Sequence, residues 1–186
     1  MYITPLATDQ DSLERVGGKG RSLSKMVREG FNVPTGFIVT TDAYRSFIAD
    51  NGLQADIVHN AKPQLKDGYP AFDQSAAVIS DLIRQAAMND ALIAAIKRAY
   101  RELQAGGGDD APVAVRSSAN AEDLPGLSFA GQQETYLNVC GEDAVVKAVG
   151  DCWASLWTTQ AISYRHQNGI DQDSVATVSY THLTLP

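Results

Sequence analysis

The spacing of apolar residues predicts five helices along the chain. Apolar side chains recur three and four positions apart, which is typical of one face of an amphipathic helix. These stretches are residues 23–27, 44–48, 78–83, 92–103 and about 143–168. We expect N-caps at Asp42 and Asp90, because a short acidic side chain can accept hydrogen bonds from free backbone N–H groups. Glycines are expected to end three of the helices, at Gly30, Gly52 and Gly169. A short additional helix is predicted over residues 9–16.

Three shorter runs predict β-strands. Residues 36–40 form one, residues 113–115 with two valines form a second, and residues 136–139 form a third. We expect the second and third strands to pair across the residues between them. The proline- and glycine-containing segment 54–73 is predicted to be a connector, and residues 106–110 a glycine-rich linker. The mixture of helices and strands predicts an α+β fold.

Composition and charge narrow the classes of function. The chain has 186 residues, 44% of them hydrophobic, and a net charge of −7. This acidic balance disfavours nucleic-acid binding, since no basic face is available to displace counterions. We find neither a signal peptide nor a run of the ~18 apolar residues that span a membrane, and we expect a cytoplasmic protein without membrane contact. Cys140 and Cys152 belong to no C-x-x-C pair, and both are predicted to be buried free thiols.

The residues after the strand at Val113 carry the main candidate chemistry. Arg116 lies at the mouth of this strand, and it needs an anionic partner because its guanidinium cannot lose its charge. Hydroxyl, amide and backbone N–H donors follow it at Ser117, Ser118, Gly131, Gln132, Gln133 and Thr135. Such a set suits a polyphosphate. The alternative is a structural ion pair of Arg116 with Glu122 or Asp123.

A second basic, glycine-rich element lies near the N-terminus, at residues 17–22. It is predicted to be a flexible loop that carries Lys19 and opens directly into a helix. The positive end of a helix and its free N–H groups favour anions, and a lysine adds a mobile charge. The spacing matches neither a Walker loop nor a dinucleotide fingerprint. The alternative is a simple turn before a helix.

Together and in this order, the motifs resemble the N-terminal ATP-binding domain of the pyruvate phosphate dikinases. The motifs are Gly17-Gly18-Lys19-Gly20, then Gly36-Phe37-Ile38-Val39-Thr40-Thr41-Asp42-Ala43-Tyr44, then VAVRSSANAEDLPGLSFAGQQETYLNV at 113–139. Phosphoenolpyruvate synthases and rifampin phosphotransferases share this domain. The resemblance covers roughly residues 4–178, and the last motif is long and highly specific.

The resemblance implies a partial ATP-grasp-like domain, of which the chain holds only the first portion. Position by position, the family's phosphate-contacting lysine and arginine, which we take as catalytic, fall on Lys19 and Arg116. Further ATP contacts fall on Ser117, Gly131, Gln132 and Thr135. Mg²⁺ would be the accompanying metal, with its ligands beyond residue 178. In such enzymes the phosphoryl group passes from ATP to a histidine on a separate swivelling domain, and then to a small acceptor. Pyruvate, an antibiotic and a glucan all remain open as acceptors.

The last nine residues, 178–186, differ in character from the rest. Their back-translation resembles a transposase adapter end used in DNA library preparation, so we expect a non-native tail after a domain portion at 1–177. The alternative is a genuine β-strand. Trp153 and Trp157 are predicted to be core residues rather than an adenine platform, and residues 164–166 a solvated or interface surface. Two other functions stay open: a non-catalytic nucleotide sensor, and a purely structural domain.

Overall fold

The computed structural model describes residues 1–9, 12–105, 111–119 and 134–183. Within these ranges the helices are α1 (Leu13–Arg28), α2 (Thr41–Asp50), α3 (Gln54–Asn60), α4 (Asp73–Gln85), α5 (Asp90–Gln104), α6 (Glu142–Ser155) and α7 (Thr159–Gln167), with a short 3-10 helix at Gln172–Ser174. The strands are β1 (Ile3–Pro5), β2 (Gly36–Val39), β3 (Gln64–Lys66), β4 (Tyr69–Ala71), β5 (Val113–Ala119), β6 (Thr135–Val139) and β7 (Thr177–Leu183).

Five of the strands form one antiparallel sheet, in the order β1-β2-β7-β5-β6. Strands β3 and β4 form a separate hairpin. The α+β prediction is confirmed, and so is the pairing of the strands on either side of residues 120–133. None of the helices in the described ranges is long and apolar enough to span a bilayer.

The two faces of the five-stranded sheet are covered by different helices. Side chains alternate between faces along a strand, and the strand register shows which side chains share a face. On one face, Val16 of α1 packs with Ile38, Val178 and Tyr180. On the other face, a larger core joins the sheet to α2, α4, α5 and α6, with Val115 among its members. Of these five helices, α1 covers one face of the sheet, and the other four cover the opposite face.

Several predicted boundaries and elements differ from those of the structure. The N-cap of α2 is Thr40 rather than Asp42, because β2 leads directly into the helix. The N-cap of α5 is Asn89, whose side chain accepts a hydrogen bond from the backbone N–H of Leu92. The predicted connector at 54–73 contains helix α3 and the β3–β4 hairpin. The long helix predicted over about 143–168 is instead two, since the chain turns after Ser155.

Predictions about individual side chains were confirmed in part. Trp153 and Trp157 are core residues, with 0% and 1% of their surface exposed. Cys152 is buried, and this burial raises the pKa of its thiol to about 12. Cys140 was predicted to be buried as well, which is wrong: it is exposed where the chain leaves edge strand β6. The surface predicted at 164–166 is also wrong for Arg165, which is 1% exposed.

The central strand β7 has an unusual pattern of buried hydroxyls. The residues predicted to be a non-native tail begin within it, at Val178. Thr177, Ser179 and Thr181 are all fully buried in the sheet. Thr177 Oγ1 donates to the Ser118 carbonyl oxygen at 3.2 Å, whereas Thr181 Oγ1 has no hydrogen-bond partner among the described residues. A buried hydroxyl without a partner is destabilising.

The contrast between two threonines of β7 gives a stability prediction. We expect Thr181→Val to raise the free energy of unfolding by about 1–2 kcal/mol, because it removes an unsatisfied buried hydroxyl at nearly constant volume. Thr177→Val, the matched control in the same strand, should lower it, because its hydroxyl has a partner. Urea unfolding of the three proteins measures both changes. A destabilised Thr181→Val protein would contradict the account.

Candidate functional site

Helix α1 is broken at Gly17, whose φ of 65° and ψ of 171° are not helical. This combination is accessible almost only to glycine. A Cβ atom built on Gly17 would lie 3.1 Å from Val178 Cγ2 and 3.2 Å from Ser118 Oγ. The break thus lies against the end of β5. It brings the glycine-rich element into contact with the segment that contains Arg116.

The prediction of a flexible loop around Lys19 is therefore wrong. Residues on both sides of Gly17 are helical, and the break is one residue long. Gly20 allows a second close approach, since a Cβ built there would lie 3.1 Å from Ile38 Cδ1 on the sheet. Glycines thus allow the helix to lie close to the sheet, and Lys19 between them is exposed to solvent.

Arg116 occupies a central position on the α1 side of the sheet. Its cross-strand neighbours are Thr135 on β6 and Tyr180 on β7, and such neighbours share one face of a sheet. The Arg116 guanidinium carbon lies 5.8 Å from the centre of the Tyr180 ring. Thr135 is exposed on the outer side of Arg116. The structure thus brings together two of the residues predicted from the sequence.

Among the residues that the structure describes, the Arg116 guanidinium lacks a full set of partners. Its Nε is buried and makes no hydrogen bond to any of them, although a charged donor that is removed from water needs an acceptor. The proposed ion-pair partners Glu122 and Asp123 lie outside the described residues. An anion bound on this face would supply the missing acceptor.

Helix α1 adds a positive field to the same face. It carries five basic residues, Arg15, Lys19, Arg21, Lys25 and Arg28, and one acidic residue, Glu14. The helix therefore has a net charge of +4 within a chain of −7. Lys25 pairs with Glu29 at 3.8 Å, and Arg28 donates to the Thr8 carbonyl oxygen. This concentration of charge favours a polyanionic ligand beside α1.

Ser117 points away from these groups. It alternates with Arg116 along β5, so its side chain faces α6 on the opposite side of the sheet. Its Oγ lies 3.3 Å from Ser155 Oγ and 3.4 Å from the Glu134 carbonyl oxygen. The side chain is 8% exposed. The predicted phosphate contact of this hydroxyl finds no support in the geometry, whereas Ser118 lies on the α1 side, in contact with Gly17.

The remaining predicted ligand contacts, Gly131 and Gln132, lie outside the described residues. Within the ranges that the structure does describe, no group of three histidine, cysteine or carboxylate side chains is arranged to hold a metal ion. The site as described therefore consists of Arg116 and Thr135 on the sheet and the basic helix α1. The Gly17–Ser118 contact was missed from the sequence, although the glycine doublet was a signal for a close approach.

Comparison with known proteins assigns most of the chain to one family. Residues 13–179 match the family described as pyruvate phosphate dikinase, AMP/ATP-binding domain. A phosphoenolpyruvate synthase of Aeropyrum pernix is 45% identical over 167 residues, which cover 89% of this chain and 20% of the relative. A rifampicin phosphotransferase of Streptomyces sviceus is 44% identical over 169 residues, covering 90% of this chain and 19% of the relative. The chain thus spans about a fifth of the length of these relatives.

Proposed function

Because the chain belongs to the pyruvate phosphate dikinase family of AMP/ATP-binding domains, we propose that the α1 side of its sheet binds the phosphates of ATP. The observation that carries the proposal is the buried Nε of Arg116, which has no hydrogen-bond partner in the described part of the chain and lies on the face that also holds the basic helix α1. A triphosphate supplies acceptors for this group. The fold is ATP-grasp-like, as this family implies.

In this proposal each described residue has a distinct task. Arg116 neutralises phosphate oxygens from the sheet, and Lys19 follows them from the helix with a mobile point charge. Thr135 offers a hydroxyl beside Arg116. These charges offset the repulsion that the phosphate oxygens exert on an incoming nucleophile. Gly131 and Gln132 would complete the set from the segment between β5 and β6, and Mg²⁺ would be held by ligands beyond residue 178.

The whole protein is proposed to be an ATP-dependent phosphotransferase of the phosphoenolpyruvate synthase type. The phosphoryl group would pass from ATP to a histidine on a domain outside this chain, and from there to a small acceptor such as pyruvate. The relative named rifampicin phosphotransferase supports an antibiotic as the alternative acceptor. We place such an enzyme in the cytoplasm. A nucleotide sensor without phosphoryl transfer remains the alternative function.

We further propose that residues 1–177 are the native part of the chain and residues 178–186 are not. The family match includes only the first two residues of this tail, because it ends at residue 179. The buried Thr181 hydroxyl, which has no partner among the described residues, is poorly suited to a central strand. Sequencing the gene across codon 177 tests this directly. An independent clone with the same nine codons would contradict it.

The role of Arg116 is tested by nucleotide titration of the 186-residue chain. We expect weak binding of ATP, because the site is incomplete, and a loss of affinity of roughly tenfold or more in Arg116→Gln, because a charge-assisted contact is removed. The thermal midpoint should change little. Arg98→Gln, at an arginine on α5 whose side chain is 70% exposed, is the matched control.

The alternatives predict different outcomes of the same titration. If Arg116 serves an internal ion pair, Arg116→Gln lowers the thermal midpoint and leaves nucleotide affinity unchanged. If the chain is a complete enzyme, it phosphorylates an acceptor from ATP without further domains. Either result would overturn the proposal, which requires binding without turnover.

A further inference from the structure

A cavity of about 280 Å³ lies among helices α2, α4, α5 and α6, on the side of the sheet opposite α1. Its walls are mainly apolar and include Phe47, Ile83, Ala86, Met88, Ile93 and Val146. Gly150 of α6 also lines it, and a Cβ atom built there would lie 3.4 Å from Met88 Cε. The absence of a side chain at Gly150 therefore helps to keep the cavity open. Its volume suits an apolar group of about one ring.

The rim of this cavity is polar and carries a net positive charge. Asp151 lies between two cations: Lys147 Nζ is 2.6 Å from Oδ2, and Arg84 Nε is 3.4 Å from Oδ1. One carboxylate cannot neutralise both, so the three side chains sum to +1. The Asp151 side chain is only 15% exposed, and its contacts with both cations keep them at the mouth of the cavity.

Arg84 has donors left for a ligand. A guanidinium has five N–H groups in a planar fork, and the contact of Arg84 with Asp151 uses Nε. No contact of the two Nη groups with another described residue competes for them, so they can donate to a second acceptor, and a carboxylate matches their geometry. An apolar body in the cavity and a carboxylate on this fork would satisfy both parts of the site.

We propose that this cavity binds a small amphipathic monoanion, with a single-ring apolar body and one carboxylate. The ring would pack against the walls near Met88 and Ile93, and the carboxylate would accept from Arg84 and Lys147. The cavity lies across the sheet from the ATP face. The proposal is therefore independent of nucleotide binding.

The test is a titration of the 186-residue chain with phenylacetate and its neutral analogue phenylacetamide, followed by NMR shifts of residues around Gly150. We expect saturable binding of phenylacetate at these residues and weaker binding of the amide. Arg84→Gln should lower the affinity for phenylacetate roughly tenfold and leave that for the amide unchanged. Arg45→Gln, at an arginine that is also half exposed and paired 3.5 Å from Glu14, should bind as the wild type.

A second pair of variants tests the cavity itself. Gly150→Leu should abolish binding of both probes by filling the space, whereas Gly150→Ala should retain it. Arg84 lies on the rim, where its replacement by glutamine does not disturb the core. The Arg84→Gln variant therefore still tests the proposal if Gly150→Leu does not fold. The proposal is overturned by an absence of saturable shifts, by equal affinities for acid and amide, or by unchanged phenylacetate affinity in Arg84→Gln.

Discussion

Replacement of Gly17 by alanine is expected to lower the free energy of unfolding by about 3 kcal/mol. Two costs add up at this residue. Its φ of 65° and ψ of 171° are sterically unfavourable for any residue with a side chain. The new methyl group would also lie 3.1 Å from Val178 Cγ2 and 3.2 Å from Ser118 Oγ, so α1 would have to move away from β5. Chemical denaturation with urea measures the change.

Gly52→Ala separates the two costs. Gly52 has a similar φ of 63°, but a Cβ atom there would meet nothing within 4 Å. Its replacement should therefore cost only the conformational part, about 1 kcal/mol. Equal losses of unfolding free energy in the two variants would show that the close contact of Gly17 with β5 does not contribute to the cost.

The same substitution bears on the proposed ATP site. Lys19 follows Gly17 by two residues, and Arg116 precedes Ser118 by two. A displaced α1 would therefore shift the lysine relative to the arginine. We expect Gly17→Ala to weaken ATP binding under conditions where the protein is still folded, and Gly52→Ala to leave it unchanged. Unchanged affinity in both would show that the position of α1 does not matter to the site.

Arg165→Ala is expected to lower the free energy of unfolding by about 3–4 kcal/mol. This side chain is 1% exposed and ties α7 to its surroundings. Its Nη1 donates to the Leu156 carbonyl oxygen and its Nε to Gln172 Oε1, both at 2.7 Å. Its guanidinium carbon lies 4.8 Å from the centre of the Trp157 ring. Alanine would leave two acceptors unsatisfied and a void beside the tryptophan.

Arg165→Met distinguishes volume from hydrogen bonding. Methionine fills the space and removes a charge whose burial is unfavourable; that burial lowers the pKa of Arg165 to about 10. We expect roughly half the loss seen with alanine. Arg98→Ala, at an exposed arginine, should cost less than ~0.5 kcal/mol. A loss below ~1 kcal/mol for Arg165→Ala would contradict the structural role.

The position of Arg165 shows what local patterns leave undecided. Its own charge and the polar residues beside it predict a surface position, which is wrong. The signal was present, since Ala161 and Ile162 are buried at helical spacing before it, and the next position on that face is 165. An arginine is accepted there only because a carbonyl, an amide and an indole ring converge on it from other segments.

The β3–β4 hairpin was missed for a similar reason. Asp67 and Gly68 have φ values of 52° and 82°, and an Asp-Gly pair is a strong signal for a tight hairpin turn. Pro63 and Pro70 obscured that signal. The helix and strand predictions succeeded where apolar periodicity was long, as in α5, because burial of one continuous face depends on spacing alone.

By itself, the sequence determined the α+β class, most helices, three of the seven strands in the described residues, the buried tryptophans and the candidate residues Arg116 and Thr135. These follow from local spacing and from chemistry that no neighbour can change, such as the permanent charge of a guanidinium. Only the tertiary structure decided that Thr135 lies opposite Arg116, that Ser117 faces away from it, and that Gly17 meets Ser118. Those relations depend on strand register and on contacts between distant segments, and a shift of one residue in register would reverse the face of every side chain in a strand.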